Sequence, residues 1–158
     1  MDIEIREFAE LPLGSWFQFG LDGLKAVALK VTPPDTVRPG VGGAVIVFEL
    51  PPSSSAPRYI EDNAESFGLV MHLKSATLRP APDLESLAFE GPPELGHVVL
   101  GRDQTIIVAE YEDGVCPFDV ATGQPADFPD RFIIATSWRL DDTSLPEGPA
   151  FLEYGDGA

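Results

Sequence analysis

The sequence predicts an all-β protein of about nine or ten short antiparallel strands, arranged as a sandwich or as two related small barrels. Apolar, β-branched runs of strand length recur along the chain and are separated by turn residues. The chain has 15 Gly and 16 Pro among 158 residues, scattered between those runs. This excess over average usage favours many short strands over long helices. One helical turn is expected near residues 83–89, where Asp83 can cap it and Leu84 and Leu87 share a face.

The first half of the chain predicts a series of strands. Residues 2–8 alternate between apolar and charged side chains, and Gly43–Leu50 is apolar enough to be buried on both faces. Between them, Ser15–Phe19 and Leu24–Val31 predict a hairpin around a turn at residues 21–23. Leu69–Arg79 predicts one long strand, which ends before Pro80 because proline cannot donate to a strand ladder.

The second half contains the clearest hairpin of the chain, Leu95–Tyr111, whose two β-branched runs flank a tight turn at Gly101–Gln104. Asp119–Gly123 has the Asp-x-x-Thr-Gly pattern of a tight turn, in which glycine supplies the positive φ angle. Arg131–Leu140 alternates and predicts one half-buried strand. Residues 141–158 are an acidic tail, within which residues 151–154 are expected to dock as a short edge strand.

Residues 1–158 are interpreted as a single compact unit with a candidate internal repeat over residues 11–80 and 93–140. The two hairpins share Leu-Gly at the start, Gly-x-Asp at the turn and Val-Ala in the return strand. One such unit would leave an apolar face open, and a second copy would cover it. The alternative is one irregular sandwich or barrel that contains two similar hairpins.

The charge of the chain limits the partners that it can bind. With 26 acidic and 10 basic residues, the net charge is −16 at pH 7. Such a surface repels nucleic-acid phosphates and anionic lipid head groups, so neither nucleic acid nor membrane is an expected partner. A basic protein partner fits this charge, and so does a merely solvated surface. A homo-oligomer through a strand edge is a further option, and mimicry of nucleic acid ranks last because the acids are spread along the chain.

The cellular compartment predicted from the sequence is the cytoplasm. Cys116 is the one cysteine, so no disulfide can form within the chain. The N-terminal residues are acidic and lack the apolar segment of a signal peptide. The longest apolar run, residues 41–50, is about half of the ~20 residues that a membrane-spanning helix needs.

The sequence contains no catalytic, phosphate-binding or metal-binding motif, so no cofactor and no metal is expected. Four aromatic residues could line a shared groove, although core packing is their more common role. Two histidines, the cysteine and one aspartate are the remaining candidates, because the fold could bring them together. The eight candidate site residues are Trp16, Tyr59, His72, His97, Cys116, Phe118, Asp119 and Trp138.

Taken together, these features predict a non-catalytic cytoplasmic binding or assembly module that presents an acidic surface to a protein partner. The alternative is a small enzyme or ligand-binding β-barrel, with a site assembled by the fold near His72, His97 and Cys116. Enzymatic activity is therefore left open, and the missing motifs favour a protein without it.

Overall fold

The computed structural model describes residues 3–21, 23–34, 43–50, 56–145 and 148–155, and it confirms the all-β prediction. Within these residues the helical structure consists of α1 (Ala64–Phe67) and two 3₁₀ turns, Phe8–Glu10 and Leu84–Ser86. The second 3₁₀ turn confirms the helical turn predicted near residues 83–89. Asp83 caps it, since its carboxylate accepts the Glu85 N–H at 2.9 Å.

The described residues form fourteen strands, seven in each half of the chain. Those of the first half are β1 (Ile3–Glu7), β2 (Trp16–Leu21), β3 (Leu24–Val31), β4 (Gly43–Glu49), β5 (Arg58–Asp62), β6 (Leu69–Leu73) and β7 (Ala76–Pro80). Those of the second half are β8 (Leu87–Ala88), β9 (Val98–Leu100), β10 (Thr105–Tyr111), β11 (Gly114–Asp119), β12 (Ile133–Ala135), β13 (Trp138–Asp142) and β14 (Leu152–Tyr154). Asp22, in the predicted first turn, lies outside the described residues.

The number of strands exceeds the expected nine or ten partly because two predicted long strands are each broken. The strand predicted over Leu69–Arg79 becomes β6 and β7, and the one predicted over Arg131–Leu140 becomes β12 and β13. In both cases the two pieces belong to different sheets, so the chain turns a corner between them. At the second corner, Thr136 donates to Ser86 O from its N–H at 2.8 Å and from its hydroxyl at 3.0 Å. At this corner the alternation is interrupted, because Ala135 before it and Trp138 after it both face the principal core. Neither predicted strand contains Gly or Pro, so the sequence carries no turn signal at the break.

The strands form a large sheet of eleven strands and a small sheet of three. The large sheet has the order β1-β6-β2-β3-β4-β5-β10-β9-β12-β8, with β11 pairing with β10. The small sheet has the order β14-β13-β7, which confirms that residues near 151–154 dock as a short strand. The two halves of the chain meet at the parallel pair β5–β10 and at the antiparallel pair β7–β13.

The principal core lies between the two halves, and each half contributes to it. Ile46 and Phe48 of the first half share this core with Ile107 and Trp138 of the second. A second cluster, on the other face of the first half, contains Phe8, Phe17, Val45 and Val47, and Phe67 of α1 packs against it. Because β4 contributes to both clusters, it is buried on both faces, as its apolar sequence predicts.

The strand pairing of the first half recurs in the second. In the first half the order is β1-β6-β2-β3-β4, and in the second it is β8-β12-β9-β10 with β11 next to β10. The same turn precedes each hairpin: Gly14 N–H donates to Lys30 O and Gly96 N–H donates to Val108 O, both at 2.9 Å. Both glycines have positive φ angles, +83° and +86°. The shared Leu-Gly of the two hairpins therefore occupies the same structural position.

The shared Val-Ala pair of the two hairpins does not occupy equivalent positions. Lys30 N–H donates to Ser15 O at 2.9 Å, and Val108 N–H donates to His97 O at 3.0 Å. These bonds align Val108 with Lys30, three residues beyond Val27. The second hairpin is shorter and closes at the predicted tight turn, where Gly101 N–H donates to Gln104 O at 2.9 Å.

Candidate protein-interaction surface

Three of the four predicted aromatic residues are buried and pack inside the principal core. Trp138 is fully buried, and its indole N–H donates to Gly96 O at 2.9 Å. Its ring meets the Phe48 ring edge-on at 5.3 Å between centroids, and the Trp16 ring lies 5.7 Å from the Phe48 ring. Phe118 is also fully buried. These side chains stabilise the packing of the two halves, and Trp16 also lines a cavity that is described below.

Tyr59, the fourth aromatic residue, is half-buried at the junction of the halves. Its ring stacks on Phe118 at 6.0 Å and meets Tyr111 edge-on at 5.0 Å. Its hydroxyl donates to Glu61 Oε2 at 2.7 Å. These contacts join β5 to β10 and β11, so they explain Tyr59 as a structural residue of the junction.

The histidines and the cysteine lie on separate elements of the fold. His97 precedes β9, and its Nδ1 accepts the Glu94 N–H at 3.0 Å. Cys116 is half-buried on β11, and β10 separates it from the His97 backbone, a span of two strand spacings or roughly 10 Å. His72 is on β6, in the other half, opposite Glu4 and Phe17 in the ladders. Within the described ranges, no three His, Cys, Asp or Glu side chains are grouped to hold a metal ion.

Asp119 shapes the turn that its motif predicts. Its Oδ1 accepts the backbone N–H groups of Ala121 at 2.9 Å and Thr122 at 3.2 Å, and Gly123 has a φ of +72°.

Asp119 and Trp16 also line one cavity of about 300 Å³ between the two halves. Polar and apolar residues both line it: Gly14, Trp16, Ala76, Thr77, Leu78, Asp103, Gln104, Thr105, Asp119, Val120 and Ala121.

Two charged groups have pKa values shifted by their surroundings, and both serve the fold. Hydrogen bonds from Ser144 and Ser75 lower the pKa of the Asp142 carboxyl. Burial lowers the pKa of Lys30, whose ammonium donates to Phe8 O at 3.0 Å and Leu11 O at 2.8 Å. Both groups are held by intramolecular partners at their positions, so neither points to catalysis.

The most unusual surface is the segment of residues 83–94, which we call the edge segment because it contains β8, the last strand of the large sheet. Leu84 is 82% exposed and Phe89 is 70% exposed, more than any other large apolar side chain described apart from Ile5. Most large apolar side chains gain about 1.5–3 kcal/mol by burial, so two exposed ones on one short segment need an explanation.

Both ends of the edge segment are anchored to the body of the protein. At the start, Asp83 caps the 3₁₀ turn, and Ser86 is buried and bonded to Thr136. At the end, Glu94 N–H donates to His97 Nδ1, and His97 N–H donates back to Glu94 O at 3.0 Å. The exposed side chains are therefore presented by a backbone that is already held in place, which reduces the entropy that a partner must remove on binding.

The charge of the edge segment has one sign. Four of its residues are acidic, it contains no Lys, Arg or His, and all four carboxylate residues are exposed: Asp83, Glu85, Glu90 and Glu94. Apolar anchors surrounded by carboxylates are complementary to a basic surface that carries an apolar pocket.

The sequence indicated the acidity of this surface but not its apolar anchors. Leu84 and Leu87 were expected on one face of a helical turn, because they are three residues apart. In the structure the 3₁₀ turn ends at Ser86 and β8 begins at Leu87, so the two leucines belong to different elements. Leu87 packs against the core and Leu84 points into solvent. The feature of the sequence that could have indicated this surface is the group of acidic residues around Leu84 and Phe89.

Comparisons of the chain with protein-family models, with curated proteins and with solved structures find no match. Among the described residues, no helix has the length and apolar character that crossing a bilayer requires. The functional interpretation consequently depends on the surface and the sites described above.

Proposed function

We propose that the protein is a non-catalytic binding module that presents the edge segment to a basic protein partner. The observation that carries the proposal is the exposure of Leu84 and Phe89 on an anchored, wholly acidic segment. Aromatic residues on rigid backbone are typical centres of binding energy at protein interfaces. The net charge of −16 supports the same partner chemistry, because it attracts basic proteins and repels nucleic acid. A cytoplasmic location belongs to this proposal.

The anchors and the carboxylates have different expected roles. Leu84 and Phe89 supply apolar area that leaves water when the partner docks, so they determine affinity. The carboxylates accelerate the encounter and select a basic surface, so they determine the dependence on salt.

The apolar anchors are tested with the double variant L84S/F89S. Full-length protein is immobilised and incubated with lysate of the native host, and retained proteins are identified. We expect a basic protein that the wild type retains and the double variant loses by at least about thirtyfold, the effect of removing one strong aromatic anchor. The matched control is Val115→Ser, which removes another exposed apolar side chain, on β11. Equal retention by L84S/F89S and wild type would show that the edge segment is not the binding surface.

The carboxylates are tested with the triple variant E85Q/E90Q/E94Q, which keeps Asp83 because that residue caps the turn. We expect weaker retention at low salt and a smaller loss on raising the salt, since fewer charges face the partner. The control variant, which changes the net charge equally on other exposed acids, is E65Q/D127N/D130N. If both triple variants weaken retention equally, only net charge matters and the proposed segment is wrong.

A second candidate function is favoured by the cavity that Trp16 and Asp119 line. Its mixed polar and apolar walls suit a small polar molecule, as in a ligand-binding barrel. A thermal-shift screen with metal ions and common metabolites tests this function, because a ligand at a hundred times its Kd adds about 2.7 kcal/mol of stability. A ligand that raises Tm in the wild type and not in Gln104→Ala would support the second function over the first.

A further inference from the structure

The first strand of the large sheet has a free edge with a defined set of unpaired backbone groups. Within the part of the chain that the structure describes, β1 pairs with β6 alone and ends the sheet. Phe8 N–H donates to Gly68 O at 2.9 Å, which continues the register of the β1–β6 ladder. Because bonded and non-bonded pairs alternate in an antiparallel ladder, Glu4 and Arg6 direct their backbone groups toward β6. Ile3, Ile5 and Glu7 direct theirs outward.

We infer that β1 of one molecule pairs antiparallel with β1 of a second copy, centred on Ile5. In this register the outward backbone groups of Ile5 bond to those of Ile5 in the second copy, and Ile3 bonds to Glu7. The pairing joins two eleven-stranded sheets about a twofold axis. It is independent of the proposed function, since β1 and β8 are opposite ends of the sheet.

The charges of β1 select this register. Glu4 lies opposite Arg6 of the second copy, and Arg6 lies opposite Glu4, in the two closely spaced non-bonded pairs. Within one molecule Arg6 Nε already lies 3.5 Å from Glu4 Oε1, so both side chains share a face. Sliding one strand by two residues keeps each side chain on its face but sets Glu4 against Glu4 or Arg6 against Arg6. Each neighbouring register therefore places a like-charge pair at its centre, whereas the proposed register has none there.

The apolar face of β1 also favours a second copy. Ile5 is 70% exposed, and its partners on the neighbouring strand, Met71 and the adjacent Leu69, are also exposed. In the dimer Ile5 lies beside Ile5 of the second copy, so a continuous apolar row runs from Met71 of one molecule to Met71 of the other. This row borders the open groove of about 520 Å³ that Ile5, Leu69 and Met71 help to line in each molecule.

The test is sedimentation equilibrium of the full chain and of charge variants of β1, at about 0.15 M ionic strength to screen the net charge. We expect the wild type to dimerise, and Glu4→Arg to weaken the dimer by about tenfold because both cross-strand pairs become Arg–Arg. Arg6→Glu should weaken it similarly through two Glu–Glu pairs. The swap variant E4R/R6E restores both pairs and should dimerise like the wild type. Asp127→Arg is the control with the same charge change as Glu4→Arg, away from β1.

Mixing the two single variants gives the sharpest result. A Glu4→Arg molecule and an Arg6→Glu molecule together form two Arg–Glu pairs, so the mixture should form a heterodimer about tenfold more tightly than either variant dimerises alone. Circular dichroism of each variant checks that it is folded. A monomeric wild type at the highest concentration reached, or a dimer that no β1 variant weakens, would overturn the inference. Pairing with a different protein strand would appear as a monomeric wild type that captures another chain through β1.

Discussion

At the scale of single residues, Gly96 has one of the demanding positions in the fold. Its φ is +86°, and an added Cβ would overlap the Tyr154 hydroxyl, which packs directly over it. We expect Gly96→Ala to lower the free energy of unfolding by about 2–4 kcal/mol, from backbone strain and overpacking together. Chemical denaturation measures the change. Gly20→Ala is the matched control, since Gly20 has open space where the Cβ would lie. Equal effects of the two substitutions would contradict the close packing of Tyr154.

Asp142 gives the residue-scale prediction for pH. Hydrogen bonds from Ser144 and Ser75 lower the pKa of its carboxyl below the ordinary value of 3.8. A carboxyl with a lowered pKa stabilises the fold above its ordinary pKa and loses that contribution as the pH falls through the lowered value. We therefore expect the difference in unfolding free energy between wild type and Asp142→Asn to be largest at neutral pH and to shrink in acid. A difference that is constant from neutral pH to pH 3 would show that the carboxylate is not stabilised by these bonds.

At the scale of elements, Lys30 of β3 stabilises the first 3₁₀ turn by hydrogen bonds. Its ammonium donates to Phe8 O and Leu11 O and lies 4.4 Å from the centre of the Phe8 ring. We expect Lys30→Met to destabilise the protein by about 1–3 kcal/mol, because two carbonyls lose a charged donor. Lys25→Met, on the same strand and exposed, should change stability by less than about 0.5 kcal/mol. Hydrogen exchange of the Leu11 amide, which bonds to Phe8 O, should accelerate only in the Lys30 variant.

The prediction of strands and turns from the sequence succeeded where apolar runs and turn residues determine the local structure. The apolar run of β4, the Gly101–Gln104 turn and the Asp119–Gly123 turn all lie where the pattern placed them. It failed at Thr136–Ser137, where the chain passes to the other sheet and the core-facing side chains change from Ala135 to Trp138 without any Gly or Pro to signal the break. The exposure of Leu84 was equally out of reach, because it depends on where the neighbouring β8 begins.

At the scale of the whole molecule, the two halves depend on one shared core. Trp16, Leu29 and Phe48 of the first half pack with Ile107 and Trp138 of the second. We expect residues 1–82 alone to lack a cooperative unfolding transition, since this apolar face would be open to water. The full chain should unfold in one transition. A fragment with a sharp melting transition of its own would contradict the shared core.

The internal duplication over residues 11–80 and 93–140 stays a proposal, and two features support it. The order of paired strands recurs in both halves, and Gly14 and Gly96 precede their hairpins in the same conformation. The recurrence also includes β1 and β8, which lie outside the two predicted repeat ranges.

The predicted groove of aromatic residues could not be judged from the sequence. Trp16, Phe118 and Trp138 are recognisable there as aromatic residues, but their burial depends on the packing of distant strands.

The central claim is that the edge segment is a docking surface for a basic protein, and photo-cross-linking within the native host tests it most directly. A photoreactive phenylalanine analogue replaces Phe89 in one variant and Val115 in another, both exposed positions. The predicted result is a cross-link from position 89 to a basic protein, with none from position 115. No cross-link from position 89, or the same products from both positions, would contradict the claim.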